Sequence, residues 1–149
     1  MSHLLHPPLL EEMGLASAVP WYVEGFTERS GIEVDLQIPA HWDRLPQSIE
    51  MVLFRVLQEG LTNVHRHSGS SVATIRLEIN AENVSLIVKD RGRGFASGSK
   101  LGIGIAGMRE RVREVGGEFA VTSESTGTTI RVNVPLQKGV LHATPDLSR

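Results

Sequence analysis

Glu59 and Asn63 stand four residues apart in a stretch whose apolar positions repeat at three and four. A carboxylate and an amide oxygen therefore fall one turn apart on a helix, both flanking the apolar stripe at roughly 65 to 110° from its centre. Two hard oxygen donors at the border of a core suit Mg²⁺, which keeps several waters and takes a phosphate as a further partner. Asp90 closes a strand-like run and enters Arg91-Gly92-Arg93-Gly94, where glycine permits positive φ and close approach of backbone to a flat ligand. A carboxylate at that place can accept a hydrogen bond from an exocyclic amine such as adenine N6. Gly102-Ile103-Gly104-Ile105-Ala106-Gly107 then opens a helix whose first N–H groups and dipole attract phosphate oxygens, and Arg109 and Arg111 can add charge. Gly127-Thr128-Thr129 follows. In this order the four signals describe a nucleotide pocket built without a P-loop.

Each signal also has a plainer reading. A Glu/Asn pair is more often two solvated helix residues, Asp-x-Gly is a common turn, and Gly127-Thr128-Thr129 alone reads as a hairpin turn. The match to G-x-G-x-x-G does not indicate a dinucleotide fold, because that fingerprint needs a strand directly before the first glycine. Here Ala96-Ser97-Gly98-Ser99-Lys100 is loop-like. His65 and His67 lie about 200° apart on a helix and cannot chelate one metal.

The elements that must hold these residues are legible from periodicity. Ile49, Val52, Leu53, Val56, Leu57, Leu61 and Val64 predict an amphipathic helix from Pro46 to about Arg66. Alternation predicts a strand through Ile32–Ile38 and three later runs, Ala73–Ile79, Val84–Val88, and Phe119 and Val121 leading to Ile130, Val132 and Val134. Ile105, Met108, Val112 and Val115 give the buried face of a helix that Gly116-Gly117 ends, with Arg109, Glu110, Arg111, Arg113 and Glu114 on the outer face. Val19, Val23 and Phe26 predict an earlier helix, either capped by Ser17 with Pro20 in its first turn or longer and kinked at Pro20. Residues 1–16 read as a helix remnant or linker without a packing partner, 91–101 as a mobile loop, and the stretch after Pro135 as a frayed tail.

Length and composition set the frame. With 149 residues and 40% hydrophobic content the chain buries one core. A formal net charge of −2 provides no field for a nucleic-acid backbone or an anionic membrane, so phosphate binding must be local. There is no cysteine, which excludes disulfides and thiolate metal sites and fits a reducing cytoplasm. No apolar run approaches the roughly 20 residues of a membrane span.

Taken in order, FRVLQEGLTNVHRHS (54–68), DRGRGF (90–95), GIGIAGMRERV (102–112) and GTTIRVNVP (127–135) resemble the N, G1, G2 and G3 boxes of the GHKL ATPases, the superfamily of histidine kinases, gyrase-type ATPases and Hsp90. The likeness is greatest to catalytic domains of sensor histidine kinases that pair with LuxR/NarL-type response regulators, whose second glycine box runs into a Gly-Met-Arg-Glu-Arg helix, here Gly107 to Arg111. The resemblance implies a two-layer α/β sandwich of the Bergerat type, a mixed sheet with helices on one face. It implies ATP and Mg²⁺ as ligands, with Asn63 holding Mg²⁺, Glu59 polarising the attacking group or a water, and Asp90 contacting adenine. Gly92, Gly94, Gly102, Gly104 and Gly107 are then expected to shape pocket and lid, with Thr128 near the adenine. His67, Ile105 and Met108 complete the implied ATP-contacting set.

On this reading residues 31–136 are the ATP-binding catalytic domain and 137–149 a disordered tail. Residues 1–30 are expected to be the remnant of the second helix of a dimerisation domain plus linker, because Leu5-His6-Pro7 has that setting. No histidine of the chain is followed by an acidic residue, so the phosphoacceptor box of the subfamily is absent. The chain thus reads as a fragment that transfers the ATP γ-phosphoryl to a histidine on a dimerisation domain it lacks. Its expected partners are that domain, a response regulator and, in the longer protein, a second protomer, with no direct membrane contact. A GHKL serine kinase of the anti-sigma type and a silent nucleotide-binding module are the alternatives. Gly60 costs about 1 kcal/mol of helix propensity against alanine, with no compensation visible in the sequence.

Overall fold

A computed structural model of the chain describes residues 8–92 and 102–136. The order is α1 (Pro8–Met13), α2 (Leu15–Ser30), β1 (Glu33–Gln37), α3 (Gln47–Asn63), β2 (Val72–Ile79), β3 (Asn83–Asp90), α4 (Gly102–Glu114), β4 (Glu118–Glu124) and β5 (Gly127–Pro135). The strands form one mixed sheet in the order β1-β2-β3-β5-β4, with β1 parallel to β2 and the other pairs antiparallel. The parallel pair follows from the α3 crossover between β1 and β2, whereas β2 and β3 are joined by a tight turn. In that turn Asn80 Oδ1 accepts from the N–H groups of Glu82 (2.8 Å) and Asn83 (2.9 Å).

Strand alternation sorts the side chains onto two faces. Ala73, Ile75 and Leu77 of β2, Val84, Leu86 and Val88 of β3, and Ile130, Val132 and Val134 of β5 are all buried, and they meet Leu53, Phe54, Leu57 and Leu61 of α3 and Met108 and Val112 of α4 in one core. The expected α/β sandwich with helices on one face is thus present. Complete burial of each such aliphatic side chain contributes about 1.5–3 kcal/mol.

Three differences from the sequence reading have physical causes. The segment at 8–16 is not unpacked: Leu10 and Leu15 are buried in the same core. It is also tied by charge, because the Arg44 guanidinium donates to both carboxylate oxygens of Glu50 (3.0–3.2 Å) and to the Glu11 carbonyl (3.4 Å). Gly14, the joint between α1 and α2 at φ +86°, lies so close to this guanidinium that a Cβ would come within 2.5 Å of Nε. Next, Ser17 is not the cap: α2 begins at Leu15 and carries Pro20 inside, as in the longer-helix alternative. Finally, α3 ends at Asn63 and continues as a π-helical turn over Val64–Ser68 before Gly69 closes it at φ 74°. The expected loop over 91–101 falls largely, and the tail over 137–149 wholly, outside the described residues.

Candidate functional site

Val84, Leu86 and Val88 form the buried row of β3, and Asp90 is the next member of that row. Its side chain therefore faces the helices where the apolar surface of the strand ends, and it is 5% exposed. Asp90 Oδ1 accepts hydrogen bonds from Gly92 N–H (2.8 Å) and Thr128 N–H (3.2 Å). Both described bonds fall on one oxygen, which leaves Oδ2 for a ligand. Thr128 is buried beside it, with its hydroxyl 3.4 Å from that of Ser123.

Gly127 explains why β5 can come this close. The β4–β5 hairpin turns at residues 125–126, so Gly127 is not the turn residue but the first residue of β5, paired with Glu124. It stands at φ +146°, and a Cβ there would run into the Asp90 carbonyl oxygen. The glycine is needed for close approach of two backbones, and this approach delivers the Thr128 N–H to the carboxylate.

The second half of the site lies on α3. Gly60 is buried against Val88 of β3, with a Cβ position 3.1 Å from Val88 Cγ1. Helix and strand thus meet so closely that a Cβ would require Val88 to give by a few tenths of an ångström, which offers a reason for a glycine mid-helix. The contact also sets Asp90, two residues beyond Val88, near the turn of α3 that carries Glu59 and Asn63. Glu59 and Asn63 are both half-buried. Gly104, in the first turn of α4, lies over the Glu59 carboxylate so closely that a Cβ would collide with Oε2. The glycine-rich segment and the carboxylate, 45 positions apart by their numbers, are therefore neighbours.

Other expected residues are placed differently. Ile105 and Met108 are buried at 4% and 3% exposure in the core beneath α4. His67 is exposed on the π-helical turn. Gly102 starts α4, Gly107 is exposed on it, and Gly94 lies outside the described residues. Arg109 does not point at a phosphate site: it donates to the Phe119 carbonyl (3.2 Å) and stacks over the Phe119 ring at 5.1 Å, fastening α4 to β4. Sequence reading missed Arg55, which precedes Glu59 by one turn on the same side of α3 and has a buried Nε. Its position at i−4 from Glu59 was the available signal.

The site has a definite chemical character. The amide nitrogen Nδ2 of Asn63 is buried and has no hydrogen-bond partner, and the two amide termini exchange by a flip, so this position suits either a phosphate acceptor or a metal. Gly104 and Gly127 let α4 and β5 come up against Glu59 and Asp90 more closely than a Cβ would allow. The residues thus fit a nucleotide and a hard divalent cation. A groove of about 620 Å³ on the opposite face of the sheet, lined by Glu78, Ser85, Ile87, Arg131 and Asn133 among others, is separate from these residues.

Comparison with known proteins agrees with this geometry. Residues 48–138 match the family described as Histidine kinase-, DNA gyrase B-, and HSP90-like ATPase. The chain is 33% identical over 130 residues to the signal transduction histidine-protein kinase/phosphatase DegS of Brevibacillus brevis, covering 85% of this chain and 34% of that protein. It is 36% identical over 142 residues to the sensor histidine kinase NarS of Mycobacterium tuberculosis, covering 90% of this chain and 32% of that protein. It spans about a third of the length of these relatives. In structure it resembles the histidine kinase domain of the blue-light activated histidine kinase of Erythrobacter litoralis, with a TM-score of 0.74 at 24% identity over 87% of this chain and 65% of that one, a likeness of fold. With Gly104 laid against Glu59, Gly127 laid against Asp90 and this family match over the same elements, the chain belongs to the histidine kinase-, DNA gyrase B- and HSP90-like ATPases.

Proposed function

We propose that this chain is the ATP-binding catalytic domain of a sensor histidine kinase, which transfers the γ-phosphoryl of ATP to a histidine on a dimerisation segment of the same protein. The observation that carries the reading is the approach of Gly104 to the Glu59 carboxylate, one turn from the orphaned Asn63 amide. It puts the anion-attracting start of α4 beside the two residues fit for a metal and a reacting group. Asp90 selects adenine through Oδ2, held in place by Gly92 and Thr128. Asn63 holds Mg²⁺, which when bound neutralises phosphate charge. Glu59 orients the attacking nitrogen by accepting its proton or a hydrogen bond from it, and the glycines keep side chains out of the cleft. Catalysis of this kind works by positioning and charge stabilisation.

The longer protein is on this reading a cytoplasmic or cytoplasm-facing homodimer that hands its phosphoryl group to a response regulator of the LuxR/NarL type. Residues 1–30 belong to the connection with its dimerisation segment. Among the described residues no helix is long and apolar enough to cross a membrane. Calorimetric titration of the chain tests the core of the proposal: ATP is expected to bind, more tightly with Mg²⁺ than with chelator present. Absence of ATP binding by the folded chain refutes it.

A further inference from the structure

Among the described residues two buried side-chain polar atoms have no hydrogen-bond partner, Nδ2 of Asn63 and Nε of Arg55. They lie on one line. Arg55, Glu59 and Asn63 occupy positions i, i+4 and i+8 of α3, a single row with a rise of about 6 Å per step. The two orphaned donors therefore flank the carboxylate that lies under Gly104. Folded proteins rarely keep a buried charged donor without an acceptor unless a ligand supplies one.

No described carboxylate serves Arg55. Among the described residues the ion pair within 4 Å is Arg44–Glu50, at the first turn of α3. The charge that acts on Arg55 is of its own sign: burial and the Arg111 guanidinium of α4 hold it below its ordinary pKa. Arg111 is exposed and stands seven residues after Gly104, two turns along the same side of α4. Helical side chains lean toward the N-terminus, so Arg111 leans back toward the end of α4 that meets Glu59. The Arg111 guanidinium is near enough for its charge to act on Arg55 across the seam between α3 and α4. The fork-shaped donors of both side chains match the tetrahedral oxygens of a phosphoryl group, and arginine cannot relieve the repulsion by losing its proton.

We propose that Arg55, assisted by Arg111, binds the oxygens of the terminal phosphoryl group of the nucleotide, extending the Glu59–Asn63 row by one turn. The assignment rests on the reading of the cleft as an ATP site. It makes Arg55 a discriminator between ATP and ADP, because ADP lacks the group that the pair holds. Asp90 and Asn63, by contrast, serve parts that both nucleotides share.

The test is titration of the 149-residue chain with ATP and with ADP, each with Mg²⁺, in the parent, Arg55→Met and Arg111→Gln, with thermal melts to confirm folding. Arg55→Met is expected to weaken ATP about tenfold, as loss of a charged hydrogen-bond donor does, while ADP stays within about twofold. Arg111→Gln is expected to shift the ATP-to-ADP preference in the same direction by about threefold, and less at high salt. Equal losses for both nucleotides in folded Arg55→Met, or an unchanged preference, overturn the assignment and leave the nucleotide reading standing. The unchanged preference is also what results if the occupant is instead a carboxylate of a protein partner. If Arg55→Met does not fold, the exposed Arg111 decides, and an unchanged preference in its variant overturns the proposal. A parent that binds neither nucleotide overturns both readings together.

Discussion

Asp90 shows how the fold fixes a single buried carboxylate at the end of a strand. Two backbone N–H groups fix Oδ1, and burial keeps water from competing for the carboxylate. Asp90→Ala should weaken ATP binding roughly ten- to hundredfold, the range for loss of a charged hydrogen-bond partner. GTP should bind poorly to the parent, since its O6 is an acceptor facing an acceptor. Parallel titrations of both nucleotides check this, and equal affinities for them would sink the adenine assignment. Glu59 and Asn63 should separate by their roles. Asn63→Ala is expected to remove the Mg²⁺ dependence of ATP binding. Glu59→Gln and Gly104→Ala should leave binding nearly intact and slow phosphoryl transfer to an added dimerisation segment, the first by losing the charge and the second by displacing it with a Cβ. Transfer at the parent rate in Glu59→Gln removes that residue from the mechanism.

At the scale of elements, the contact of α3 with β3 is the joint on which both halves of the site depend. Gly60 lets the helix backbone approach Val88, and the positions of Glu59 and Asp90 follow from that spacing. Alanine at 60 brings about 1 kcal/mol of helix propensity but overfills a space that is already tight. Gly60→Ala is therefore expected to be neutral or destabilising in the parent, and stabilising by about 1 kcal/mol where Val88→Ala has opened room. Urea denaturation of the four-member cycle measures the coupling. A clear stabilisation by Gly60→Ala alone would show that close approach is not the reason for the glycine. A π-helical turn over Val64–Ser68 directly follows Asn63 at the end of the same helix.

For the molecule as a whole, the question is whether this chain carries its own phosphate acceptor. No histidine in the chain precedes an acidic residue, and the chain spans about a third of the length of its relatives. Incubated with labelled ATP, it should bind nucleotide yet carry no acid-labile, base-stable phosphate, and replacing His3 and His6 together by alanine should change nothing. A dimerisation segment supplied in trans should accept phosphate only weakly, because it lacks the roughly millimolar effective concentration of a tethered acceptor. Acid-labile label on the chain that disappears in the double variant would place the acceptor within these 149 residues.

Sequence alone determined whatever depends on short-range period and backbone chemistry. The stripe Ile49, Val52, Leu53, Val56, Leu57 and Leu61 yields α3, the alternation of Val84, Leu86 and Val88 yields β3, and the order of the four boxes yields the family. These signals are local because a helix or strand repeats within a few residues. Tertiary structure decided what depends on which backbones touch. Gly127 reads as a hairpin glycine until β5 is laid against Asp90, and Gly60 as an unexplained cost until Val88 is found beneath it. Leu10 and Leu15 read as unpacked until α1 and α2 close over the core. Arg55 is marked along the chain only by its place one turn before Glu59, and only the folded structure shows its Nε to be buried without an acceptor. Such properties arise from pairs of residues far apart in sequence, and no period within one segment encodes the distance between two.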